Sequence, residues 1–296
     1  MKKALSLILA SLLLATAVSA DIALEEGAVD FEIQKATATW TPDGVKSEGE
    51  YYDIELLPEW ISTACSDASK DADVVALPVD YAMSWDDDYV YLWLSYEDAT
   101  GHNFTAADHP SHWDGEIIQI GAAEVDVASE EAADRLEIGF GTHTDTKEKL
   151  SFCWAQSGYE PNPGNAITEG YGANNTAVDD YECFWDEDTI TYEARVPFSI
   201  FTKKTVEEGL AFKWAVCMCI DGGAGAYTMW HLADGIAGGT KNPAAHATVT
   251  LAAAPVVETV AEVVEEAAAP QTFAAGVIAA VAAIVSAAGY AVSKKR

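Results

Sequence analysis

Basic residues are scarce in this chain. There are 16 Lys and Arg against 48 Asp and Glu, a formal net charge of −32 over 296 residues. A surface that acidic repels phosphate backbones and anionic headgroups, which argues against nucleic acid or anionic lipid as a partner. It suits neutral polysaccharide, divalent cations, or simple solubility. Catalytic signatures are lacking too: there is no Gly-x-Ser-x-Gly elbow, no His-Glu-x-x-His helix and no phosphate loop. The paired acids of a glycosidase carry no spacing that would mark them among so many carboxylates, so the chain reads as no enzyme. Cysteine is sparse and odd in number, with Cys65, Cys153, Cys183, Cys217 and Cys219. At least one thiol is left over unless chains cross-link. No long amphipathic helical pattern and no internal repeat appears between the two ends.

The ends are the apolar parts. Residues 1–20 have a basic start, a short apolar run and Val18-Ser19-Ala20, the pattern of a secretory signal peptide cleaved after Ala20. Residues 273–292 hold no charge and are long enough for a bilayer core, and Ser293-Lys294-Lys295-Arg296 follows as a basic cytoplasmic tail. The expected organisation is therefore a signal peptide over 1–20, one exported domain over 21–251, an Ala/Val/Glu/Pro spacer over 252–272, a transmembrane helix over 273–292 and a tail over 293–296. Ala269-Pro270-Gln271-Thr272 resembles a sortase signal that has lost its leucine and glycine. The expected location is the cell surface, with the domain outside and a single membrane pass.

Within 21–251, short alternating apolar runs recur at the spacing of an antiparallel β-sandwich. Two of them, Val74–Trp85 and Tyr89–Tyr96, flank Asp86-Asp87-Asp88 as a hairpin. The second places Val90, Leu92 and Leu94 on one face and Tyr89, Tyr91 and Trp93 on the other. Further strands are expected over Phe31–Trp40, Glu116–Ala122, Arg135–Gly141, Lys149–Gln156, Tyr181–Trp185, Thr189–Val196, Phe212–Asp221 and Ala247–Leu251. Pro197–Phe201 reads as a tight turn or short helix. A long Gly/Pro/Asn/Tyr loop separates Ser157 from Asn175. Trp85, Trp93 and Trp214 lie inside strand patterns and are expected in the core.

His112-Trp113-Asp114-Gly115-Glu116 puts an aromatic ring beside two carboxylates, the residue types that bind sugars. Several segments occur in an order that resembles the carbohydrate-binding module family 9, a relative of the DOMON β-sandwich. They are Asp43-Gly44-Val45 with Glu48-Gly49-Glu50-Tyr51, Ser84–Leu92, Trp113–Ile117, Tyr192–Phe198, Phe212–Val216, Trp230, Asn242-Pro243 and Thr248–Leu251. The resemblance spans nearly all of the exported domain and implies a jelly-roll-like sandwich that clasps a poly- or oligosaccharide between two aromatic rings. The matching positions are Trp113 and Trp230 for the clasp, with Glu116 as a hydroxyl acceptor and Asp114 beside it. Trp154, Tyr159 and Tyr171, around the long loop, would extend the binding face. The His102, His109, His112 series and the glycines of 235–239 depart from the family pattern.

Other readings stay open. His109 and His112, with Asp114 and Glu116, are metal-ligand types within a few residues, and a structural calcium held by oxygen-rich turns fits the family. Some DOMON relatives bind haem non-covalently. Met83, Met218, Met229, His231 and the His102, His109, His112 series are the residues that would ligate it here. A structural surface or adhesion role is the third alternative.

Overall fold

A computed structural model describes residues 29–65, 67–105, 115–126, 135–156, 180–223, 226–236 and 242–255. The expected signal peptide, spacer and membrane span lie outside these residues. Among the described residues, no helix is long and apolar enough to cross a membrane.

The described strands are β1 (Asp30–Gln34), β2 (Tyr52–Asp53), β3 (Ile61–Cys65), β4 (Asp80–Trp85), β5 (Tyr89–Glu97), β6 (Ile118–Glu124), β7 (Leu136–Thr142), β8 (Lys149–Gln156), β9 (Tyr181–Asp186), β10 (Thr189–Pro197), β11 (Ala211–Gly223), β12 (Ala226–Leu232) and β13 (Ala247–Ala252). One short α-helix among the described residues, α1 (Asp71–Val75), lies between β3 and β4, and short 3-10 turns such as Phe198–Ile200 join other strands. Five strands form one sheet in the order β2-β4-β5-β10-β9. The other eight form a second sheet along β1-β13-β11-β6-β7-β8, with β12 pairing to β11 and β3. The all-β sandwich expected from the alternation is what the chain adopts.

Most neighbours pair antiparallel; β1 runs parallel to β13. The hairpin around Asp86–Asp88 forms as read, with Met83 opposite Leu92 and Trp85 opposite Val90. Its period-2 pattern decides which residues face inward. Val90, Leu92 and Leu94 join the main core with Ile120, Phe140, Trp214, Val216 and Val249 of the other sheet. Across the layers, the Trp214 indole N–H donates to Tyr81 Oη at 3.0 Å, so burying this indole leaves no unpaired donor. Trp85, Trp93 and Trp214 are all buried, as expected.

The outer face of the five-stranded sheet is covered as well. Tyr51, Ala82, Tyr91 and Trp93 form a separate cluster there with Trp40 and Tyr89 packed against it. Trp40 stacks on Tyr91 at 5.7 Å, and the Arg195 guanidinium sits 5.1 Å from Trp40 and 4.9 Å from Tyr89. Beneath them the fully buried Glu193 accepts hydrogen bonds from Gly44 N (2.6 Å) and Tyr51 Oη (2.9 Å). Burial pushes its carboxyl up to about 7, against the pull of those two donors. The loop before β2 is fastened down in this way, and its aromatic rings are occupied by one another.

Three local readings are corrected. Val74–Trp85 is not one strand: Asp71–Val75 is helical, with Asp71 and Asp73 in the first turn where the dipole favours acids, and only Asp80–Trp85 pairs. The first strand ends at Gln34 rather than Trp40. Residues 61–65 and 226–232, not read as strands, pair with each other. Cys65, Cys183, Cys217 and Cys219 are free thiols in this structure.

Candidate binding site

His109, His112, Trp113 and Asp114 lie outside the described residues, but the chain is placed on both sides of them. It enters through His102, Asn103 and Phe104 and returns at Gly115 and Glu116 into β6. Gly115 has φ +125°, and a Cβ there would collide with Asn103 O. The returning chain therefore crosses Asn103 closely, as glycine allows.

Glu116 is wholly buried. Tyr96 Oη donates to its Oε1 at 3.0 Å and Asn103 N to its Oε2 at 3.2 Å. Burial first, and then the neighbouring Asp98 charge, pushes its carboxyl up to about 9, so it is neutral at pH 7. This corrects the reading of Glu116 as an open hydroxyl acceptor: its side chain turns inward and ties β6 to β5 and to the Asn103 backbone.

Three connections meet around this point. Asp98 N donates to Asp188 O at 2.8 Å, Thr144 N to Phe104 O at 2.8 Å, and Thr100 N to Asp98 Oδ1 at 2.8 Å. The β5–β6, β7–β8 and β9–β10 connections are thereby drawn to one end of the sandwich. Trp185, half-buried near the end of β9, is bracketed there. The His102 ring stacks on it at 4.0 Å and 9°, and Lys147 Nζ sits 3.6 Å from its centroid. Two groups that close to one ring must occupy opposite faces. Lys147 is held in the left-handed region, φ +61°, by the turn that joins β7 to β8.

His102 is buried, and its Nδ1 lies 3.0 Å from Thr144 Oγ1. Burial, and then the Lys147 charge, lowers it to about 4, so the ring is neutral at pH 7. Its Nε2 and the Oδ1 of Asn103 are buried, with no hydrogen-bond partner among the described residues. Buried polar atoms left without partners are uncommon and ask for one. At this end an exposed ammonium lies against a half-buried indole, with a neutral imidazole nitrogen and an amide oxygen buried beneath. These groups hydrogen-bond and stack, and the ammonium is the one charge among the four.

Trp230 is the second correction. It lies on β12, opposite Met218 of β11 and Thr63 of β3, and is 1 % exposed within the main core. The alternation along β12 turns Trp230 and Leu232 inward, so Trp230 presents no open face for a sugar. Trp154 lies on β8, its side chain outside the description, and Tyr171 is outside the described residues. Met83, Met218, Met229 and His231 are all buried, and Met83 Sδ accepts from Tyr81 Oη at 3.1 Å. Among the described residues, no three His, Cys, Asp or Glu side chains gather as a metal site.

Trp185 and Lys147 were not singled out in the sequence. Trp185 was legible only as a strand residue beside the Asp186-Glu187-Asp188 turn. An aromatic in the last turns of a strand pattern, next to an acidic turn, is the one local signal for it.

No family model matches the chain, and no curated protein matches it. Solved structures do. A carbohydrate-binding module family 9 domain from Caldicellulosiruptor kristjanssonii in complex with cellotriose aligns with TM-score 0.48 and 11% identity, covering 82% of this chain and 100% of that one. The glucose complex from the same organism gives 0.46 and 11%, over 76% and 98%. A putative carbohydrate-binding protein from Bacteroides uniformis gives 0.43 and 12%, over 76% and 99%.

Proposed function

We propose that this chain is a non-catalytic carbohydrate-binding domain, exported and tethered at the cell surface by its C-terminal apolar segment. The observation that carries the binding half is the end of the sandwich where the Trp113 segment is rooted. A half-buried indole there stacks on His102, whose Nε2, like the Asn103 Oδ1 that follows it in the chain, is buried with no partner among the described residues. Sugars present C–H faces to aromatic rings and hydroxyls to donors and acceptors, so neutral polar groups beside an indole suit them. Lys147 covers the indole face a pyranose would use and is exposed, so a ligand displaces an ammonium rather than a packed side chain. Trp113, two residues before Gly115, is the second aromatic of this reading, in place of Trp230. The tethering half rests on the charge-free run 273–292 and the basic tail.

Affinity electrophoresis and calorimetry on the full chain, with neutral cello- and xylo-oligosaccharides, test it. Trp185→Ala is expected to weaken binding about tenfold or more while circular dichroism is unchanged. Trp185→Phe should retain part of the affinity. Unchanged binding in both Trp185→Ala and Trp113→Ala would remove the site.

A further inference from the structure

Away from that end, β1 and the segment leading into β3 enclose a groove of about 290 Å³. Its floor is aromatic and apolar. Phe31 of β1 stacks on Trp60 at 5.9 Å and 25°, and Ile54 and Leu57 line the groove beside them. Both rings pack partly against the core, and each keeps part of its surface exposed. The rim is acidic, formed by Glu32, Asp53 and Glu55, all exposed. Asp53 holds Lys46 Nζ at 2.6 Å. Glu32 and Glu55 form no ion pair among the described residues.

We propose that this groove is a second binding site, selective for a cationic sugar unit, a protonated amino sugar of the glucosamine type. The chemistry follows from the two halves of the groove. A pyranose lays its C–H face on the Phe31–Trp60 pair, as a neutral sugar would. Its ammonium then gains on two counts: attraction to the aromatic π-faces and to the two unpaired carboxylates on the rim. A neutral or N-acetylated unit keeps the stacking and loses both ionic contributions. An anionic sugar is repelled. The site goes beyond the sugar binding proposed at the Trp185 end and shares no residue with it, so either can fail alone.

The test is calorimetric titration of the full chain with glucosamine trimer and with its fully N-acetylated counterpart, below the pH at which the amine loses its proton. The expected result is tighter binding of the amine form by about tenfold or more, weakening as salt is raised. Glu32→Gln with Glu55→Gln should remove most of that preference, and the preference for the amine form should persist in Trp185→Ala. Any acidic protein attracts a polycation, but a diffuse attraction would survive the loss of two charges out of 48. Equal binding of the two trimers, an unaltered preference in the double variant, or binding of tetramethylammonium as tight as that of the trimer would each overturn the proposal. Because both substitutions are on exposed side chains, the variant is expected to fold, and its circular dichroism and melting curve check that.

Discussion

Trp230→Ala should unfold this domain more readily by about 3–5 kcal/mol, the range for removing a buried large aromatic. The ring is 1 % exposed, within the core cluster formed by both sheets. β12 is held between β11 and β3, with Trp230 opposite Met218 on one side and Thr63 on the other, so backbone movement to fill the void is opposed on both edges. For a domain of this size, that loss lowers the melting temperature by roughly 10 °C. A scanning calorimetry trace of wild type and variant measures it. Below the variant's melting transition, sugar affinity should match wild type, because the indole forms no part of an open face. A variant of native stability that had lost sugar binding would restore Trp230 to the site.

The second large effect is on pH. The protein should be near its most stable between about pH 5 and 6.5, where the buried, neutral His102 and His246 offset the two acids, and lose stability from there toward pH 9. Glu116 has an ordinary carboxyl value of 4.5 when unfolded and about 9 in the fold; Glu193 reaches about 7. Below pH 4.5 both groups are protonated in both states, so the stability they contribute is fully present. Above it, the unfolded chain releases protons that the folded chain retains. Stability falls by about 1.4 kcal/mol per pH unit for each such group, until the pH passes the folded value. Other carboxylates and partial relaxation soften this, and a drop of about 2–4 kcal/mol between pH 5 and pH 8 is expected in urea unfolding. Self-repulsion of an acidic chain acts in the same direction. Glu116→Gln separates the two, since it removes one buried acid and leaves the other carboxylates in place. The Gln amide can meet Tyr96 Oη with a donor and Asn103 N with an acceptor, so the variant should show a flatter curve and a higher stability at pH 8. A wild-type curve that is flat or rises between pH 5 and pH 8 would contradict the buried, protonated state of Glu116.

Much of the sandwich is written in its period-2 runs. Lys149–Gln156 is a strand with the limits its alternation implies, and the Asp86–Asp88 hairpin sends Val90, Leu92 and Leu94 to the core as read. Where both faces of a strand are covered, alternation says that a strand exists but not what its second face meets. Nothing local distinguishes the Trp93 cluster from the main core. The 61–65 and 226–232 strands were hidden for different reasons. Ile61–Cys65 is intermediate in burial throughout and lacks a sharp apolar side. Ala226–Leu232 lies among Gly222, Gly223 and Gly235, which read as loop. That glycine-rich setting also made Trp230 look exposed.

The candidate site was half legible. Trp113-Asp114-Gly115-Glu116 marked the right connection, but a carboxylate beside an aromatic has the same sequence signature whether it faces solvent or is buried under Tyr96. The partners that give this end its character, His102, Asn103, Lys147 and Trp185, come from two connections and the end of β9, separated by up to eighty or so residues. Only the closure of the two sheets brings them together. Spacing carries no trace of that.

The most direct test is two-dimensional NMR of the isotopically labelled chain, titrated with the neutral oligosaccharides that bind in affinity gels. Sugar binding at the Trp185 end predicts that the largest shifts fall on Gly101–Phe104, Gly115, His143–Lys147 and the Trp185 indole N–H, with Trp230 unmoved. Shifts centred on any other face, or none with any neutral oligosaccharide, would contradict it.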